Sequence, residues 1–152
     1  MRLSKNFSLA EFTKSQTAVR RGIDNTPSLA TIDNLQLLVD NILQPLRDHY
    51  GKSVGVSSGY RSPQLNVAIG GSPTSDHCLG MAADIEIAGV DNKELAKYIK
   101  DNYKFTQLIL EFYTDGVADS GWVHVSYDKD NLKCQVLRAD RVNGKTKYSQ
   151  GL

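Results

Sequence analysis

Hydrophobic residues recur at helical spacing in two long stretches of the chain, and we predict the main helices there. The first stretch covers residues 26–51, and Pro45 should kink or break its last turn because proline lacks a backbone N–H. Its apolar positions are Ile32, Leu35, Val39, Ile42, Leu43 and Leu46. The second stretch runs to about Tyr103 and begins with Asp91 and Glu94, which have the spacing of a capping box.

Two shorter helices are predicted from their first residues. Ser8 and Glu11 form another capping-box spacing, before a short amphipathic helix that contains Phe12. Ser62 and Pro63 can begin a helix that Gly70 and Gly71 end just after Ile69.

Alternation of apolar and polar residues predicts the strands. We place them at residues 54–58, 82–87, 107–112, 122–127 and 135–137. The strands at 107–112 and 122–127 should pair antiparallel across a polar loop, and residues 143–152 read as a polar, mobile tail. Together these elements predict a single α+β domain over residues 1–152, with an antiparallel sheet and flanking helices.

Composition limits the classes of function. Hydrophobic residues make up 40% and charged residues 23%, and 18 basic residues balance 17 acidic ones for a net charge of +1. We therefore expect no nucleic-acid partner, because a phosphate-binding face needs clustered basic residues. No apolar run is long enough to span a membrane, and residues 1–12 lack the apolar core of a signal peptide, so we expect synthesis in the cytoplasm.

Candidate chemistry is concentrated in residues 57–84 and one later strand. His77 and Asp84 lie seven positions apart with small residues between them, and His124 lies within the strand at 122–127. Two histidines and one aspartate make a three-ligand set. Such a set leaves a fourth tetrahedral position open for water, as catalytic zinc sites do.

Amide hydrolysis at such a site also needs a general base and a substrate anchor. Glu111, near the end of a predicted strand, is the first candidate for the base, and Asp119 is the reserve. Arg61 is the candidate anchor, because a guanidinium pairs a carboxylate through two parallel hydrogen bonds.

These residues resemble the zinc D-alanyl-D-alanine peptidases, whose fold is shared with the amino-terminal signalling domain of hedgehog proteins. The pattern S-x-H-x-x-G-x-A-x-D is met by Ser75, His77, Gly80, Ala82 and Asp84, and an H-x-S element by His124 and Ser126. The likeness is nearest to short phage or prophage members and covers residues 7–127, which leaves a C-terminal strand and tail at 128–152. It implies that His77, Asp84 and His124 bind Zn²⁺ and that Arg61 receives substrate. Ser75 either shapes the turn or hydrogen-bonds substrate.

One position departs from the pattern. Many members have the catalytic acid three residues before the second histidine, where this chain has Gly121. In the hedgehog-like pattern the acid instead follows a phenylalanine by six residues, as Glu111 follows Phe105. This offset favours Glu111 over Asp119.

The resemblance implies a zinc peptidase that hydrolyses an amide bond in bacterial peptidoglycan peptides, at a D-amino-acid linkage. We expect an endopeptidase, with a carboxypeptidase still open, acting as a monomer and reaching the cell wall through a phage lysis system or a virion. The rival predictions are a zinc-bearing binding module without turnover and a structural phage component that anchors to the wall.

Overall fold

A six-stranded sheet forms the centre of the fold in the computed structural model, which describes residues 1–152. The strands are β1 (Gly55–Ser58), β2 (Ala82–Glu86), β3 (Gln107–Glu111), β4 (Trp122–Ser126), β5 (Gln135–Val142) and β6 (Lys145–Gln150). Their order across the sheet is β1-β2-β4-β3-β5-β6. The predicted α+β fold class is confirmed.

Strand direction agrees with the sequence prediction except at one pairing. β3 and β4 pair antiparallel, as predicted, and so do β1 with β2, β2 with β4, and β5 with β6. β5 instead runs parallel to β3. The segment after β4 returns to the start of β3, where Cys134 N–H donates to Phe105 O and Gln135 N–H donates to Thr106 O. Hydrophobic alternation carries no information on strand direction, so the parallel pairing was not predicted.

The prediction for the C-terminal segment needs correction. The last predicted strand, residues 135–137, extends to Val142, and most of the expected mobile tail is the paired strand β6. Asn143 and Gly144 connect the two strands with φ of 52° and 76°. An Asn-Gly pair with positive φ at both residues is typical of a tight hairpin turn. Every residue of β6 is exposed, so its side chains show no apolar alternation that would reveal a strand.

The first long helix continues past Pro45 instead of breaking. It consists of α3 (Leu29–Leu38), a π turn (Val39–Leu43) and α4 (Gln44–Tyr50). Pro45 occupies the first turn of α4, and the π turn directly before it contains the hydrogen bond from Gln44 N–H to Val39 O. Proline is tolerated in a first helical turn, where its missing N–H is not needed.

The other helices are α1 (Ala10–Thr13), α2 (Gln16–Arg21), α5 (Pro63–Ala68), a 3₁₀ helix (Asp76–Leu79) and α6 (Asn92–Asn102). Glu11 accepts a 2.7 Å hydrogen bond from Ser8 N–H, which is one half of the predicted capping box. Ser62 caps α5 by accepting from Leu65 N–H, whereas Asp91 accepts from Lys93 N–H rather than from the N–H of Glu94. The sequence prediction missed α2 and the 3₁₀ helix. None of the helices combines the length and the apolar character needed to cross a membrane.

The two faces of the sheet have different neighbours. One face, which we call the core face, carries residues with no exposed surface: Ala83, Ile85, Leu108, Leu110, Val123 and Val125. These side chains join one hydrophobic cluster with residues of α3, α4 and α6. Asp84, Glu111 and His124 alternate with core-face residues and therefore lie on the opposite face, which we call the site face.

Candidate metal centre

Asp84 and His124 are placed side by side by the register of the sheet. Asp84 on β2 is directly opposite His124 on β4, near the middle of the sheet. Directly paired residues on antiparallel strands have side chains on the same face, with Cβ atoms about 4.5–5.5 Å apart. The backbone hydrogen bonds of two strands therefore fix the relative position of these two groups.

His77 reaches the same place from a separate element, the 3₁₀ helix. Ser75 caps this helix by accepting a 3.2 Å hydrogen bond from His77 N–H. Gly80 ends it with φ of +72°, and a Cβ atom there would lie 2.6 Å from Thr31 O. Only glycine combines that conformation with that close approach, which explains the glycine at this position of the motif.

The tautomer of His77 follows from its backbone partner. His77 Nδ1 lies 2.7 Å from Gly59 O, so Nδ1 carries the proton and donates it to the carbonyl. His77 Nε2 lies 3.4 Å from Asp84 Oδ1, and in the neutral ring it offers the lone pair that a metal ion would bind. Histidine ligands of metal ions usually donate their other ring N–H in this way, which holds the ring in the orientation for binding.

The three side chains together offer a buried set of ligand atoms. Asp84 Oδ1 also lies 3.0 Å from His124 Nδ1, and one ligand atom from each residue lies within 4.8 Å of the others. His77 is only 3% exposed, and Asp84 and His124 are each 9% exposed. Two imidazole nitrogens and one carboxylate oxygen match the donor chemistry of zinc and leave a coordination position open. The residues therefore fit a metal ion.

His124 and Asp84 stabilise each other's charged forms without a metal. Burial opposes the ionised form of Asp84, but hydrogen bonds from His124 and His77 outweigh burial and hold its pKa well below the usual range. Burial likewise opposes the cationic form of His124, but the hydrogen bond and charge of Asp84 raise the pKa of that imidazole above its ordinary value. A bound cation would take the place of the shared protons.

Glu111 lines the same cleft as the three candidate ligands. The cleft has a volume of about 480 Å³ and is lined by His77, Asp84, Glu111 and His124, among other residues. Burial raises the pKa of Glu111, and the charge of Asp84 adds to this effect, whereas His124 acts in the opposite direction. A carboxylate with a raised pKa is suited to accept and return a proton near neutral pH.

The structure also shows where Asp119, the reserve candidate for the base, and Gly121, the position of the departure from the family pattern, lie. Asp119 is exposed and lines a different cleft, together with Glu86 and Asn92. Gly121 has φ of +60°, and a Cβ atom there would lie 2.0 Å from Glu111 O. The backbone leaves no room for an acid at residue 121. Of the candidate bases, only Glu111 lines the cleft.

Arg61 and Ser75 also line the cleft and contact each other. Arg61 Nη2 donates a 3.2 Å hydrogen bond to Ser75 Oγ, and the backbone N–H of Arg61 donates to His77 O. Arg61 forms no ion pair, and its buried Nε has no hydrogen-bond partner. The guanidinium therefore remains available to an anion in the cleft. Its predicted role as a substrate anchor, like that of Ser75 as a substrate contact, stays a prediction.

Sequence reasoning gave no role in the site to several residues that line the cleft, among them Trp122, Leu137 and Tyr148. Trp122 is directly opposite Glu111 on the neighbouring strand; its buried indole N–H makes no hydrogen bond of good geometry, but Trp122 acts to lower the pKa of Glu111 and so opposes the effect of burial. Trp122 is two residues before His124 in the same strand, so this spacing places both side chains on one face of the sheet. Leu137 and Tyr148 belong to the C-terminal hairpin, which we predicted only in part.

The remaining histidine and the cysteines have no place in this centre. His49 stacks on Tyr98 with ring centroids 4.0 Å apart. Cys78 and Cys134 are both free thiols. Ser126 of the H-x-S element is fully buried and does not line the cleft. Its Oγ lies 3.5 Å from Gln107 O.

Comparison with known proteins identifies the family. The family model described as Peptidase M15 matches residues 5–126, which include all the candidate ligands and Glu111. No curated protein matches the chain. The buried histidine and aspartate ligands agree with the metal dependence that is typical of this family. The chain therefore belongs to peptidase family M15, a family of zinc D-Ala-D-Ala peptidases.

Proposed function

We propose that the protein is a zinc peptidase that hydrolyses an amide bond in bacterial peptidoglycan peptides, at a D-amino-acid linkage, as an endopeptidase. The observation that carries the proposal is the convergence of three buried ligands and Glu111 on one cleft. A purely structural metal site would use a fourth protein ligand and would have no reason to open into a cleft beside a carboxylate with a raised pKa.

His77, Asp84 and His124 would hold the metal. When bound, zinc supplies a Lewis acid for the scissile carbonyl and lowers the pKa of water. Glu111 accepts the proton of the attacking water and returns it to the leaving amine. Because Glu111 is partly buried and its pKa is raised, it can serve first as base and then as acid.

Arg61 receives a carboxylate of the substrate through its unpaired guanidinium, and Ser75 holds that guanidinium near His77. Peptidoglycan stem peptides carry free carboxylates, so such a contact suits an endopeptidase as well as a carboxypeptidase. The second candidate function is therefore a D,D-carboxypeptidase, because a half-buried arginine without any carboxylate partner in the chain can bind a terminal carboxylate. Delivery to the wall by a phage lysis system or a virion stays a prediction.

A zinc-bearing binding module is less well supported than an enzyme. That alternative predicts that Glu111 lies away from the ligands and that no other acid takes its place. Glu111 lines the cleft, and its neighbour across the strand pair, Trp122, does so as well.

Mass spectrometry of purified peptidoglycan fragments tests the proposal. The zinc-loaded protein should convert cross-linked dimers into monomers, whereas removal of a single terminal alanine would show a carboxypeptidase. Glu111→Gln is the matched control, because it keeps the size of the side chain and all three ligands. Identical fragments from both proteins would contradict the proposal.

A further inference from the structure

The C-terminal hairpin lies outside the part of the chain that the family model matches. The match ends at residue 126, whereas β5 and β6 occupy residues 135–142 and 145–150. The hairpin nevertheless extends the site face of the sheet. Glu111 on β3 pairs with Ala139 on β5, and Ala139 pairs with Tyr148 on β6. Glu111, Ala139 and Tyr148 therefore form one row across three neighbouring strands.

The middle residue of this row is small. Ala139 is fully buried and has only a methyl side chain between Glu111 and Tyr148. The backbones of β3 and β6 are two strand spacings apart, or roughly 9–10 Å. Because Ala139 is fully buried, the cleft lies beside this row, and Glu111 and Tyr148 both line it. Tyr148 lines the same cleft as the candidate ligands and is 54% exposed, so much of its side chain is free to contact a ligand.

The hairpin is attached firmly enough to define a binding surface. Phe112 N–H donates to Ala139 O at 2.8 Å, directly after Glu111 in the chain. Arg138 on the core side of β5 donates to Tyr113 O at 2.9 Å and forms a 3.0 Å ion pair with Asp115. These contacts link β5 to the segment that follows β3. The position of Tyr148 relative to Glu111 is therefore set by the sheet rather than by a loop.

Apart from the three candidate ligands, Gln107 and Glu111, the residues that line the cleft fall into two chemically different groups. The loop and 3₁₀ helix contribute polar side chains: Arg61, Ser72, Thr74, Ser75 and Asp76. The site face of the sheet contributes apolar or aromatic side chains: Ile109, Trp122, Leu137 and Tyr148. A peptide with small apolar side chains and free carboxylates suits both parts of the lining: its carboxylates suit the polar group and its apolar side chains suit the apolar and aromatic group.

We propose that the C-terminal hairpin forms the apolar wall of the substrate cleft and that Tyr148 is a specificity-determining residue. Its ring packs against the small side chain of the substrate residue next to the scissile bond, within the cleft that Tyr148 and Glu111 both line. The proposal rests on the proposed function for the nature of the substrate, a peptide with residues such as alanine. It adds that substrate selection depends on a segment outside the family match.

Two probes that bind through the metal can test this wall without turnover. Acetohydroxamate has a zinc-binding group and no peptide residue, whereas the phosphinate analogue of D-alanyl-D-alanine has a residue on each side of its zinc-binding group. Trp122 is the only tryptophan and lines the cleft, so its fluorescence can report binding to the zinc-loaded protein. The variants are Tyr148→Ala, Tyr148→Phe and Lys147→Ala. Lys147 is the control, because it is the exposed neighbour on the opposite face of β6.

Tyr148→Ala should weaken phosphinate binding about five- to tenfold and acetohydroxamate binding less than about twofold, because only the phosphinate reaches the ring. Tyr148→Phe and Lys147→Ala should bind both probes like wild type. Equal effects of Tyr148→Ala on the two probes would overturn the proposal, and so would no effect on either. A wild-type protein that binds the phosphinate no better than acetohydroxamate would overturn it too. If Tyr148→Ala weakens phosphinate binding but the wild-type protein does not cleave peptidoglycan, the result would support the apolar wall and contradict the proposed function.

Discussion

The two faces of the central sheet differ in chemistry although the same strands form both. On the core face, Ile85, Leu110 and Val125 are completely buried among apolar neighbours. On the site face, their sequence neighbours Asp84, Glu111 and His124 are charged or titratable and border a cleft. Successive side chains of a strand point to opposite faces, so a shift in register of one residue would move the ligands into the core. The core face therefore secures the register on which the site depends.

The energetic consequences of the two faces also differ. Burial of apolar side chains stabilises the fold in rough proportion to the area removed from water. Burial of Asp84 and His124 costs free energy that their mutual contacts and a bound metal offset. Substitutions on the core face should therefore lower stability and spare the chemistry of the folded protein. Substitutions on the site face should impair the chemistry and spare the stability.

The largest expected effect is on the site face. Glu111→Gln should lower kcat about 10²- to 10⁴-fold, because the amide cannot accept the proton of the attacking water. Zinc content and Tm should stay close to wild type, since Glu111 is not one of the three candidate ligands. Steady-state kinetics, together with metal analysis of the same sample, checks this prediction. Activity within twofold of wild type would remove Glu111 from the mechanism.

On the core face, Leu110→Ala should lower the free energy of unfolding by about 2–5 kcal/mol, because Leu110 is fully buried and its loss leaves a cavity. The zinc affinity of the folded fraction should not change, since Leu110 lies on the opposite face from its neighbour Glu111. Urea unfolding and a zinc titration measure the two quantities. A loss of zinc affinity without loss of stability would contradict the separation of the faces.

A smaller effect is expected where Ser75 connects the ligand helix to Arg61. Ser75→Ala removes the cap on His77 N–H and the hydrogen bond to Arg61 Nη2. Zinc affinity should fall by about tenfold, toward the lower end of the effects of residues that orient ligands. KM should rise because Arg61 loses a contact that holds its guanidinium. Ser53→Ala, at an exposed residue outside this cleft, is the control for both measurements. Unchanged zinc affinity and KM would limit Ser75 to shaping the turn.

The smallest effect is a change of zinc-dependent stabilisation with pH. The pKa of His124 in the folded, metal-free protein is raised above 6.5. Its contribution to stability is fully present below pH 6.5 and is lost as the pH rises through the higher folded value. Zinc needs the neutral imidazole, so its binding strengthens over the same range. The increase in Tm on zinc addition should therefore grow by a few degrees from pH 6 to pH 8. A zinc-induced increase that is constant or falls with pH would contradict this coupling.

The parts of the fold that the sequence predicted correctly are those with a local signal. Apolar spacing indicated the long helix, and alternation around Asp84 and His124 indicated strands with a polar face. The antiparallel pairing of β3 and β4 followed from their short separation along the chain. The candidate ligands were grouped by residue type and by the resemblance to a peptidase pattern, and the pairing of β2 with β4 that places Asp84 opposite His124 was not predicted.

The parts that were missed depend on contacts between distant segments. The parallel pairing of β5 with β3 arises from hydrogen bonds near Phe105 and Thr106, which alternation does not reveal. β6 is exposed throughout, so Tyr148 looked like part of a tail, although Asn143 and Gly144 carried a turn signal that was overlooked. The cleft-lining position of Trp122 could have been inferred from its spacing with His124. The place of Tyr148 in the cleft required the register of three strands.

The most direct test of the metal centre is a crystal structure of the zinc-loaded protein with an anomalous difference map measured at the zinc absorption edge. We predict one peak, about 2.0–2.2 Å from His77 Nε2, His124 Nδ1 and an Asp84 carboxylate oxygen, with the remaining position open to the cleft. A peak coordinated by other residues, or no peak between these three side chains, would contradict a metal-dependent peptidase site on this face of the sheet.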